Sequence, residues 1–497
     1  MPDVFESPAS RKRPSCLDVL DELRGDPRYA RHITAWRRLE PQPARHAPEL
    51  PPLHPRLLAG LPARGVEHLY THQADAISAI LAGRHVVVVT PTASGKTLCY
   101  NLPVLNALLT DPEARALYIF PTKALAQDQL AELRAWEDVL QLGLRPATYD
   151  GDTPPAARGA IREGSRIVIT NPDMLHVGIL PHHTRWASFF AGLRYVVVDE
   201  MHAYRGVFGS HVANVVRRLK RVARFYGAHP QFLCASATIA NPEELARLLI
   251  GDSSARGSHL EPIRKVDGAA FPGCPGGLES PPHGFSDRFL EVAKATDERA
   301  DASEEEVVVV ANDGSPKGTR HFLFYNPPLV DRDLGIRRSA VLETQTLVRL
   351  FLDRNVQTIV FARSRLSTEL LLRYLRQGAA QQDKVRGYRG GYLPRERREI
   401  EQGLREGAVR TVVATNALEL GIDIGQLDAC LMAGYPGTIA STWQQAGRAG
   451  RRADVSVAIL VAGGNPLEQY IVTHPDYFFG RSPEHGRINP DNLLIRL

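Results

Sequence analysis

The sequence predicts an α/β protein that contains two parallel-sheet domains. Short apolar runs without polar alternation recur along the chain, and stretches with helical spacing separate them. Such runs are typical of strands that are buried on both faces of a parallel sheet. A first series predicts strands at 86–90, 116–120, 166–170, 195–199 and 232–236, and a second series predicts strands at 358–362, 411–415, 429–433 and 457–462.

The two series of runs define two predicted domains. Residues 66–252 carry the first series and residues 341–465 carry the second. Helices that alternate with buried strands are the signature of a parallel α/β sheet. Each segment is also long enough to form one such domain. Residues 307–340 return to strand-like content and are predicted to bridge the two domains.

Three further segments lie outside the two predicted domains. Residues 1–65 combine a short helical pattern with a proline-rich run, and we interpret them as an N-terminal accessory segment. Residues 253–306 are rich in Gly, Pro, Ser and charge, a composition that buries too little apolar surface to offset chain entropy. We therefore expect a mobile insertion there. Residues 466–497 begin a further C-terminal element.

Composition excludes several classes of protein. The 497 residues can form more than one core, and the net charge of +5 permits nucleic-acid binding without indicating it. The five cysteines include no CxxC pair, which argues against a structural zinc and a disulfide framework. No apolar run reaches the ~20 residues that cross a bilayer, and the first residues lack the apolar core of a signal peptide. We expect a cytoplasmic protein that does not contact membranes.

The stretch TPTASGKT, residues 90–97, predicts a nucleotide site. It follows the apolar run 85–89 and precedes a segment with helical spacing, which gives the order strand, loop, helix. In such a loop successive backbone N–H groups face a polyphosphate, Lys96 reaches the β- and γ-phosphates, and the Thr97 hydroxyl binds magnesium. The general pattern has Gly six residues before the lysine, where this chain has Thr90, so the motif needs support from the rest of the chain.

A second apolar run, YVVVDE, ends in two adjacent carboxylates, Asp199 and Glu200. Open α/β sheets bind their ligands at the carboxyl ends of their strands, where these residues lie. Asp199 is suited to hold magnesium, and Glu200 is suited to orient and deprotonate an attacking water. The alternative is a strand that simply ends in acidic surface residues.

Seven motifs occur in a fixed order along the chain. They are TPTASGKT, PTKALAQDQ (121–129), TNPDM (170–174), DEMH (199–202), SAT (236–238), ATNALELGID (414–423) and QQAGRAGR (444–451). In this order and context they resemble the motifs of superfamily 2 DEAD/DEAH-box helicases. HFLFYNPP (321–328) and GYPGTIASTWQQAGRAGRR (434–452) are similar to the bacterial mitomycin repair factor A helicases and their RecQ-related counterparts.

This resemblance implies a fold and an activity. The expected fold is a pair of RecA-like domains of the P-loop NTPase class that bind ATP and Mg²⁺ in the cleft between them. The expected substrate is single-stranded or forked DNA that lies across both domains and is unwound with 3′ to 5′ movement. Family members usually continue into a domain with a four-cysteine metal cluster, which this chain lacks. We expect a truncation or half of a split system, whose protein partner supplies that domain.

Two other functions stay open at this point. The first is an RNA-remodelling enzyme of the DEAD-box kind, although DEMH in place of Asp-Glu-Ala-Asp speaks against it. The second is a nucleotide-gated DNA-binding subunit of a multi-protein complex, such as a defence system, that holds DNA without unwinding it.

The resemblance also assigns residues to the ATP site. Gln73 matches the helicase glutamine motif, and its amide can pair with the N6 and N7 edge of adenine. Tyr70 is suited either to stack on the base or to fill the core. Arg448 and Arg451, three apart on a helix, can point together at a γ-phosphate. The implied ATP contacts are Gln73, Thr92, Ala93, Ser94, Gly95, Lys96, Thr97, Gly421 and Asp423, the catalytic residues are Lys96, Asp199, Glu200, Gln444, Arg448 and Arg451, and the coupling residues are Ser236 and Thr238.

A third set is implied to grip the nucleic acid. Its members are mostly small or polar residues at strand ends, suited to bind sugar and phosphate without reading bases. The basic helix after DEMH, which includes Arg217, either adds charge to this track or presents a solvated face, and we favour the solvated face. The implied nucleic-acid contacts are Thr122, Lys123, Gly151, Asp152, Thr170, Asn171, Arg363, Ser364, Thr415 and Asn416.

Overall fold

The structure is a computed structural model of the chain. It describes residues 16–251, 306–377, 382–421, 424–425, 427–450 and 455–496. The insertion predicted at 253–306, apart from its last residue, lies outside the described residues, as do the predicted site residues Asp423 and Arg451.

The described strands follow the predicted apolar runs and add several that the runs did not predict. Every run in both series is a strand, with ends that differ by at most two residues. The strands are β1 Ile33–Leu39, β2 His85–Val89, β3 Arg115–Ile119, β4 Ala147–Thr148, β5 Ile167–Thr170, β6 Leu193–Val198, β7 Gln231–Ser236, β8 Val307–Val310, β9 Arg320–Tyr325, β10 Leu329–Asp331, β11 Ile336–Arg337, β12 Thr358–Ala362, β13 Val385–Tyr388, β14 Thr411–Ala414, β15 Ala429–Ala433 and β16 Ser456–Val461.

Helices connect these strands and cover both sheets. Within the described ranges none of them is long and apolar enough to span a bilayer. The α-helices are α1 Cys16–Gly25, α2 Pro27–Ala30, α3 Pro55–Gly60, α4 Thr71–Leu81, α5 Lys96–Thr110, α6 Lys123–Leu140, α7 Pro155–Gly164, α8 Pro172–Met174, α9 Ala187–Ala191, α10 Gly206–Phe225, α11 Pro242–Ile250, α12 Ala340–Asp353, α13 Arg365–Arg376, α14 Pro394–Arg405, α15 Ile439–Ala446, α16 Pro466–Thr473, α17 Pro475–Phe479 and α18 Leu493–Arg496.

The first domain contains a seven-stranded sheet in the order β4-β5-β3-β6-β7-β2-β8, and all its strands are parallel. Strand β2, with the sequence HVVVV, is buried along its whole length. Because successive side chains of a strand point to opposite faces, Val86 and Val88 join one hydrophobic cluster and Val87 and Val89 join another. A strand buried on both faces can therefore be continuously apolar.

The second domain contains a seven-stranded sheet in the order β1-β9-β16-β15-β12-β14-β13. Its strands are parallel except β1, which pairs antiparallel with β9 at the edge. Both domains are thus parallel α/β sheets, which confirms the predicted fold class.

Parts of the predicted accessory segment and bridge belong to these sheets. Strand β1 lies in segment 1–65 and pairs with β9, and the indole Nε1 of Trp36 donates to His321 Nδ1 at 2.9 Å. Helix α1 packs with α12 in a shared hydrophobic cluster. Strand β8 lies in segment 307–340 and pairs with β2. Residues from both segments therefore complete the edges of the two sheets.

Candidate nucleotide and nucleic-acid site

The loop between β2 and α5 has the geometry of a phosphate-binding loop. Ala93 and Gly95 adopt left-handed φ angles of 65° and 82°, and α5 begins directly after Gly95. A Cβ on Gly95 would lie 2.5 Å from the amide nitrogen of Gln73, so the position requires glycine. Thr90, which stands where the general pattern has Gly, is buried and shares a 2.6 Å hydrogen bond with the Ser94 hydroxyl. The threonine therefore closes the loop through its side chain.

The Lys96 side chain supports the loop from inside. The Lys96 ammonium donates to the carbonyl oxygens of Thr90 at 2.8 Å and Pro91 at 3.0 Å. Burial lowers the pKa of Lys96, and the charges of Glu200 and Asp199 oppose that shift. The lysine thus lies inside the loop and close to the acidic pair.

Gln73 is almost fully buried at the start of α4, and its amide bonds to the protein at both ends. Its Nε2 donates to the Gly95 carbonyl at 3.0 Å, and its Oε1 accepts from the Tyr70 backbone at 2.9 Å. Tyr70 stacks its ring on those of His46 and His72. Gln73 therefore ties the glutamine motif to the phosphate loop.

The acidic pair follows β6 at the carboxyl edge of the first sheet. Asp199 accepts hydrogen bonds from the Tyr100 hydroxyl at 3.0 Å and from the Glu200 backbone at 2.7 Å. Burial, together with the charge of Glu200, raises the pKa of Asp199 to about 7. Glu200 has a left-handed φ of 49°, an uncommon conformation for a residue with a side chain, which turns its carboxylate into the cleft.

Glu200 is contacted from the second domain. Its Oε1 accepts from the Gly421 backbone N–H at 3.0 Å, and a Cβ on Gly421 would lie 2.7 Å from that oxygen. Burial pushes the pKa of Glu200 upward, but His202, Lys96 and Arg448 outweigh burial and the pKa lies below its ordinary value. The proposed base is therefore a carboxylate that both domains surround.

A second contact across the cleft joins the phosphate loop to the QQAGRAGR motif. The Thr92 hydroxyl donates to the Gly447 carbonyl at 3.3 Å. Arg448 is buried, donates from Nη2 to the Glu419 carbonyl at 2.7 Å, and acts electrostatically on both Lys96 and Glu200. Gln444 lies on α15 and is buried at the same junction.

The expected helical presentation of Arg448 is wrong. Helix α15 ends at Ala446, and Arg448 follows it in a turn. Ala449 then forms an isolated parallel bridge with Leu427, and Gly450 has a φ of 85°. Because α15 ends at Ala446 and the chain turns at Gly447 and Arg448, Arg448 is not presented on a helical face.

The SAT motif reaches the acidic pair through a histidine that the sequence analysis did not select. Ser236 is buried and donates to the Ala237 carbonyl at 2.7 Å, while Thr238 is exposed. The Ala237 N–H donates to His202 Nδ1 at 3.1 Å, and that nitrogen lies 3.4 Å from Glu200 Oε2. His202 therefore links the motif to the proposed base, and its place in DEMH was the available signal.

Four of the predicted nucleic-acid residues share one structural role. Each follows a strand at its carboxyl end and caps the next helical segment with its side chain, which accepts a hydrogen bond from a backbone N–H. The pairs are Thr122 with Leu125 N at 3.4 Å, Asn171 with Met174 N at 2.8 Å, Ser364 with Ser367 N at 3.0 Å, and Thr415 with Ala417 N at 3.4 Å.

The other predicted nucleic-acid residues are placed less uniformly. Lys123 forms an ion pair of 2.7 Å with Asp152, beside the turn at Gly151. Arg363 forms an ion pair of 2.8 Å with Glu468, and Asn416 begins a 3₁₀ segment. Thr170 is buried and its hydroxyl donates to the Tyr149 carbonyl at 2.7 Å, so it supports the loop instead of presenting its hydroxyl.

Arginines of α14 line a cavity that the sequence analysis did not select. The cavity has a volume of about 860 Å³ and separates this helix from α6 and α7 of the first domain. Its charged lining has five basic residues, Lys123, Arg134, Arg397, Arg398 and Arg405, and four acidic ones, Asp128, Asp150, Asp152 and Glu401. On the basic helix α10, by contrast, Arg217 pairs with Asp491 at 2.9 Å. Both domains thus contribute basic side chains to the cavity lining, which carries one more basic than acidic residue.

Comparisons with known proteins agree with this geometry. The DEAD/DEAH box helicase family model matches residues 70–245, and the helicase conserved C-terminal domain model matches residues 343–453. The chain is 50% identical over 487 residues to the uncharacterized ATP-dependent helicase YprA of Bacillus subtilis, covering 97% of this chain and 57% of that protein. It is 39% identical over 429 residues to the ATP-dependent helicase HRQ1 of Saccharomyces cerevisiae, covering 83% and 35%.

A solved helicase structure is also similar to this chain. The DUF1998 helicase MrfA bound to DNA and AMPPNP superposes with a TM-score of 0.82 at 49% identity, covering 97% of this chain and 60% of that one. The chain therefore spans between about a third and three fifths of the length of these relatives.

Proposed function

Because the chain belongs to the DEAD/DEAH-box helicases, we propose that it is a cytoplasmic ATP-driven motor that moves on single-stranded DNA and unwinds forked duplexes. Hydrolysis changes the contacts that bridge the two domains, so each cycle opens and closes the cleft and advances the strand. From the family resemblance we propose 3′ to 5′ movement and a role in DNA repair.

The hydrogen bond between Gly421 and Glu200 carries the ATPase part of the proposal. It brings a backbone donor of the second domain onto the carboxylate that is best placed to deprotonate water. In this arrangement Lys96 and the loop N–H groups would face the phosphates from the first domain, and Arg448 would approach them from the second. Phosphoryl transfer depends mainly on such positioning and on cations near the transferred group.

Magnesium fits the oxygen donors of this site. Thr97 lies in the first turn of α5, and the Asp199 carboxylate accepts a hydrogen bond at 3.0 Å from Tyr100 of the same helix. Among the described residues, no group of three or more His, Cys, Asp or Glu side chains is arranged to hold a metal. Mg²⁺ commonly takes one carboxylate and completes its shell with phosphates and water. Thr97 and Asp199 would therefore hold the ion together with ATP, and the ion would neutralise phosphate charge.

Three observations support nucleic acid as the second substrate. Helix N-termini with polar caps follow strands of both sheets, and backbone N–H groups there bind phosphate. Arginines of α14 add positive charge across the cleft. A relative at 49% identity is described as bound to DNA. We propose DNA as the substrate and a protein partner that acts together with this chain.

A comparison of DNA and RNA substrates tests the proposal. ATP hydrolysis should rise with single-stranded DNA more than with RNA of the same sequence, and forked DNA with a 3′ tail should be unwound. Glu200→Gln is the inactive control. Stimulation by RNA alone would indicate an RNA-remodelling enzyme. DNA binding that depends on ATP, without any unwinding alone or with added partner domain, would indicate a nucleotide-gated clamp.

A further inference from the structure

The segment 481–491 crosses from the second domain to the first. It follows α17, whose rings of Phe478 and Phe479 pack on Phe322 and Phe324 of β9 in the second domain. From there the backbone lies along α10 and α11 of the first domain, and the Gly206 N–H donates to the Arg487 carbonyl at 2.7 Å. We name this segment the strap.

The strap is bonded to the first domain along its length. Asn241 exchanges two hydrogen bonds with the Gly486 backbone, at 2.7 and 3.2 Å. The Asn489 N–H donates to the Ser210 hydroxyl at 2.8 Å, and the Asn214 amide donates to the Pro490 carbonyl at 3.0 Å. Because so many of its backbone groups are hydrogen-bonded to the first domain, the strap is docked on that domain and does not lie loosely on its surface.

Close packing accompanies these bonds. A Cβ on Gly209 would lie 2.6 Å from Ile488 Cγ2, and a Cβ on Gly486 would lie 2.7 Å from Leu245 Cδ2. The absence of a side chain at both positions therefore lets the strap approach α10 and α11 closely. This packing fixes the strap against the first domain with a defined register.

Glu484 joins the strap to the helix that leads to Arg448. Its carboxylate accepts from the backbone N–H groups of Ile439 at 2.7 Å and Ala440 at 3.0 Å, the first two residues of α15. Its own carbonyl accepts from the Ala240 N–H of the first domain at 3.4 Å. A carboxylate at a helix N-terminus is stabilised by the N–H groups that lack intrahelical partners. Glu484 thus contacts both domains.

The two ends of this connection lie next to motifs of the proposed catalytic site. Ala240 follows the SAT motif by two residues, and α15 carries Gln444 and precedes Arg448. The strap also forms one wall of a cavity of about 540 Å³ that His202 and Gln444 line from the two domains. A shift of the α15 N-terminus would therefore change the distance between Arg448 and the phosphate loop.

We propose that Glu484 is a positioning residue that holds α15 against the first domain and so sets the approach of Arg448 to the bound nucleotide. The proposal rests on the ATPase function proposed above. The strap links the neighbourhoods of the SAT motif and the QQAGRAGR motif through hydrogen bonds of the chain itself.

Glu484→Ala in the full chain tests the role. It removes the carboxylate that accepts from Ile439 and Ala440 and leaves the Thr438 cap on Ser441 in place, and loss of such a helix-end acceptor corresponds to a population change of about fivefold. We expect kcat of DNA-stimulated hydrolysis to fall about fivefold while KM for ATP changes less than twofold. Glu484→Gln, which keeps one acceptor oxygen, should recover part of the rate. Asp476→Ala, an exposed acid on α17, is the matched control.

A second variant acts at the other end of the link. Asn241→Ala breaks the bonds to Gly486 without touching α15, and it should lower kcat in the same way. If both variants break one link, the loss in the double variant should be smaller than the product of the single losses. A normal kcat in Glu484→Ala, or fully multiplicative losses, would overturn the role of Glu484. Hydrolysis that DNA fails to stimulate in the unaltered chain would instead overturn the proposed function.

Discussion

The two domains share one strand order and differ in the loop that follows one strand. From one edge the first sheet runs β4-β5-β3-β6-β7-β2-β8 and the second runs β13-β14-β12-β15-β16-β9-β1, so β9 occupies the place of β2. After β2 comes the phosphate loop, whereas after β9 comes Asn-Pro-Pro at 326–328. The two prolines have no N–H, and the Asn326 N–H donates to the His32 carbonyl at 2.7 Å. The second domain therefore lacks the donors that cradle phosphate at this position.

The difference shows that the fold places loops and the loop sequence decides their chemistry. The second domain uses its carboxyl edge to supply groups to the site of the first, with the Gly421 N–H on Glu200 and Arg448 near Lys96. One domain holds the nucleotide loop, and the other completes the site. Substitutions on either side of the cleft test this division of roles.

Arg448→Ala removes the cation that the second domain contributes. Positioned arginines are worth about 10³–10⁵ in the rate of phosphoryl transfer, so kcat should fall by a large part of that factor. ATP affinity should change little, because the phosphate loop belongs to the first domain. Steady-state hydrolysis with saturating single-stranded DNA measures the effect. Arg448→Lys tests charge without the guanidinium, and Arg349→Ala is an exposed control; hydrolysis within tenfold of normal would contradict the assignment.

Glu200→Gln removes the proton acceptor of the first domain and keeps its shape. Turnover should fall by about 10²–10⁴, while nucleotide binding persists because the loop and Lys96 are unchanged. Single-turnover hydrolysis and binding of a fluorescent ATP analogue separate the two properties. Glu163→Gln on the exposed face of α7 is the control. A variant that hydrolyses ATP at a normal rate would exclude Glu200 as the base.

The sequence predicts the sheets better than their edges. Strands such as β2 and β12 are continuous apolar runs, because both of their faces are buried. Strand β1 reads ITAWRRL and is only half-buried, and its partner β9 lies almost 300 residues away, as the 285-residue separation of Trp36 and His321 illustrates. Strand pairing between residues so far apart in the sequence produces no local sequence pattern from which it could be predicted.

Site residues are likewise predictable where a local pattern marks them and unpredictable where only a long-range contact does. Lys96, Asp199 and Glu200 are predictable because each directly follows a buried strand or its loop. Glu484 is not, because its contact with Ile439 joins residues 45 apart that no periodicity relates. The helical presentation of Arg448 was inferred from spacing alone, which does not detect that Gly450 requires a left-handed backbone.

Gly421→Ala tests the contact between the domains without removing a catalytic group. The added Cβ would lie 2.7 Å from Glu200 Oε1, so the carboxylate must shift or the cleft must open slightly. We expect kcat to fall about tenfold, since small displacements of a reacting group are costly. Thermal stability should hold because a side-chain end can move. Gly25→Ala, with open space around its position, is the control. An unchanged kcat would indicate that the contact is absent during turnover.

Thr122→Ala and Ser364→Ala test whether both domains grip the strand equally. The two residues occupy equivalent places, because each follows the third strand from the same sheet edge, β3 or β12, and caps the next helix. Loss of a cap should lower the free energy of unfolding by about 1 kcal/mol in each case. The weaker helix N-terminus should also reduce affinity for single-stranded DNA about two- to fivefold.

Fluorescence anisotropy with a labelled oligonucleotide measures that affinity. The affinity lost in Thr122→Ala is compared with the affinity lost in Ser364→Ala. Thr110→Ala is the control, because Thr110 is the last residue of α5 and lies away from the carboxyl edge of the sheet. Equal losses are expected, because a helix N-terminus binds phosphate through backbone groups that do not depend on which domain presents them. A loss for Thr122→Ala alone would mean that the first domain holds both nucleotide and strand. In that case the second domain would act on the nucleotide only, and a closing cleft would have no second grip with which to advance the DNA.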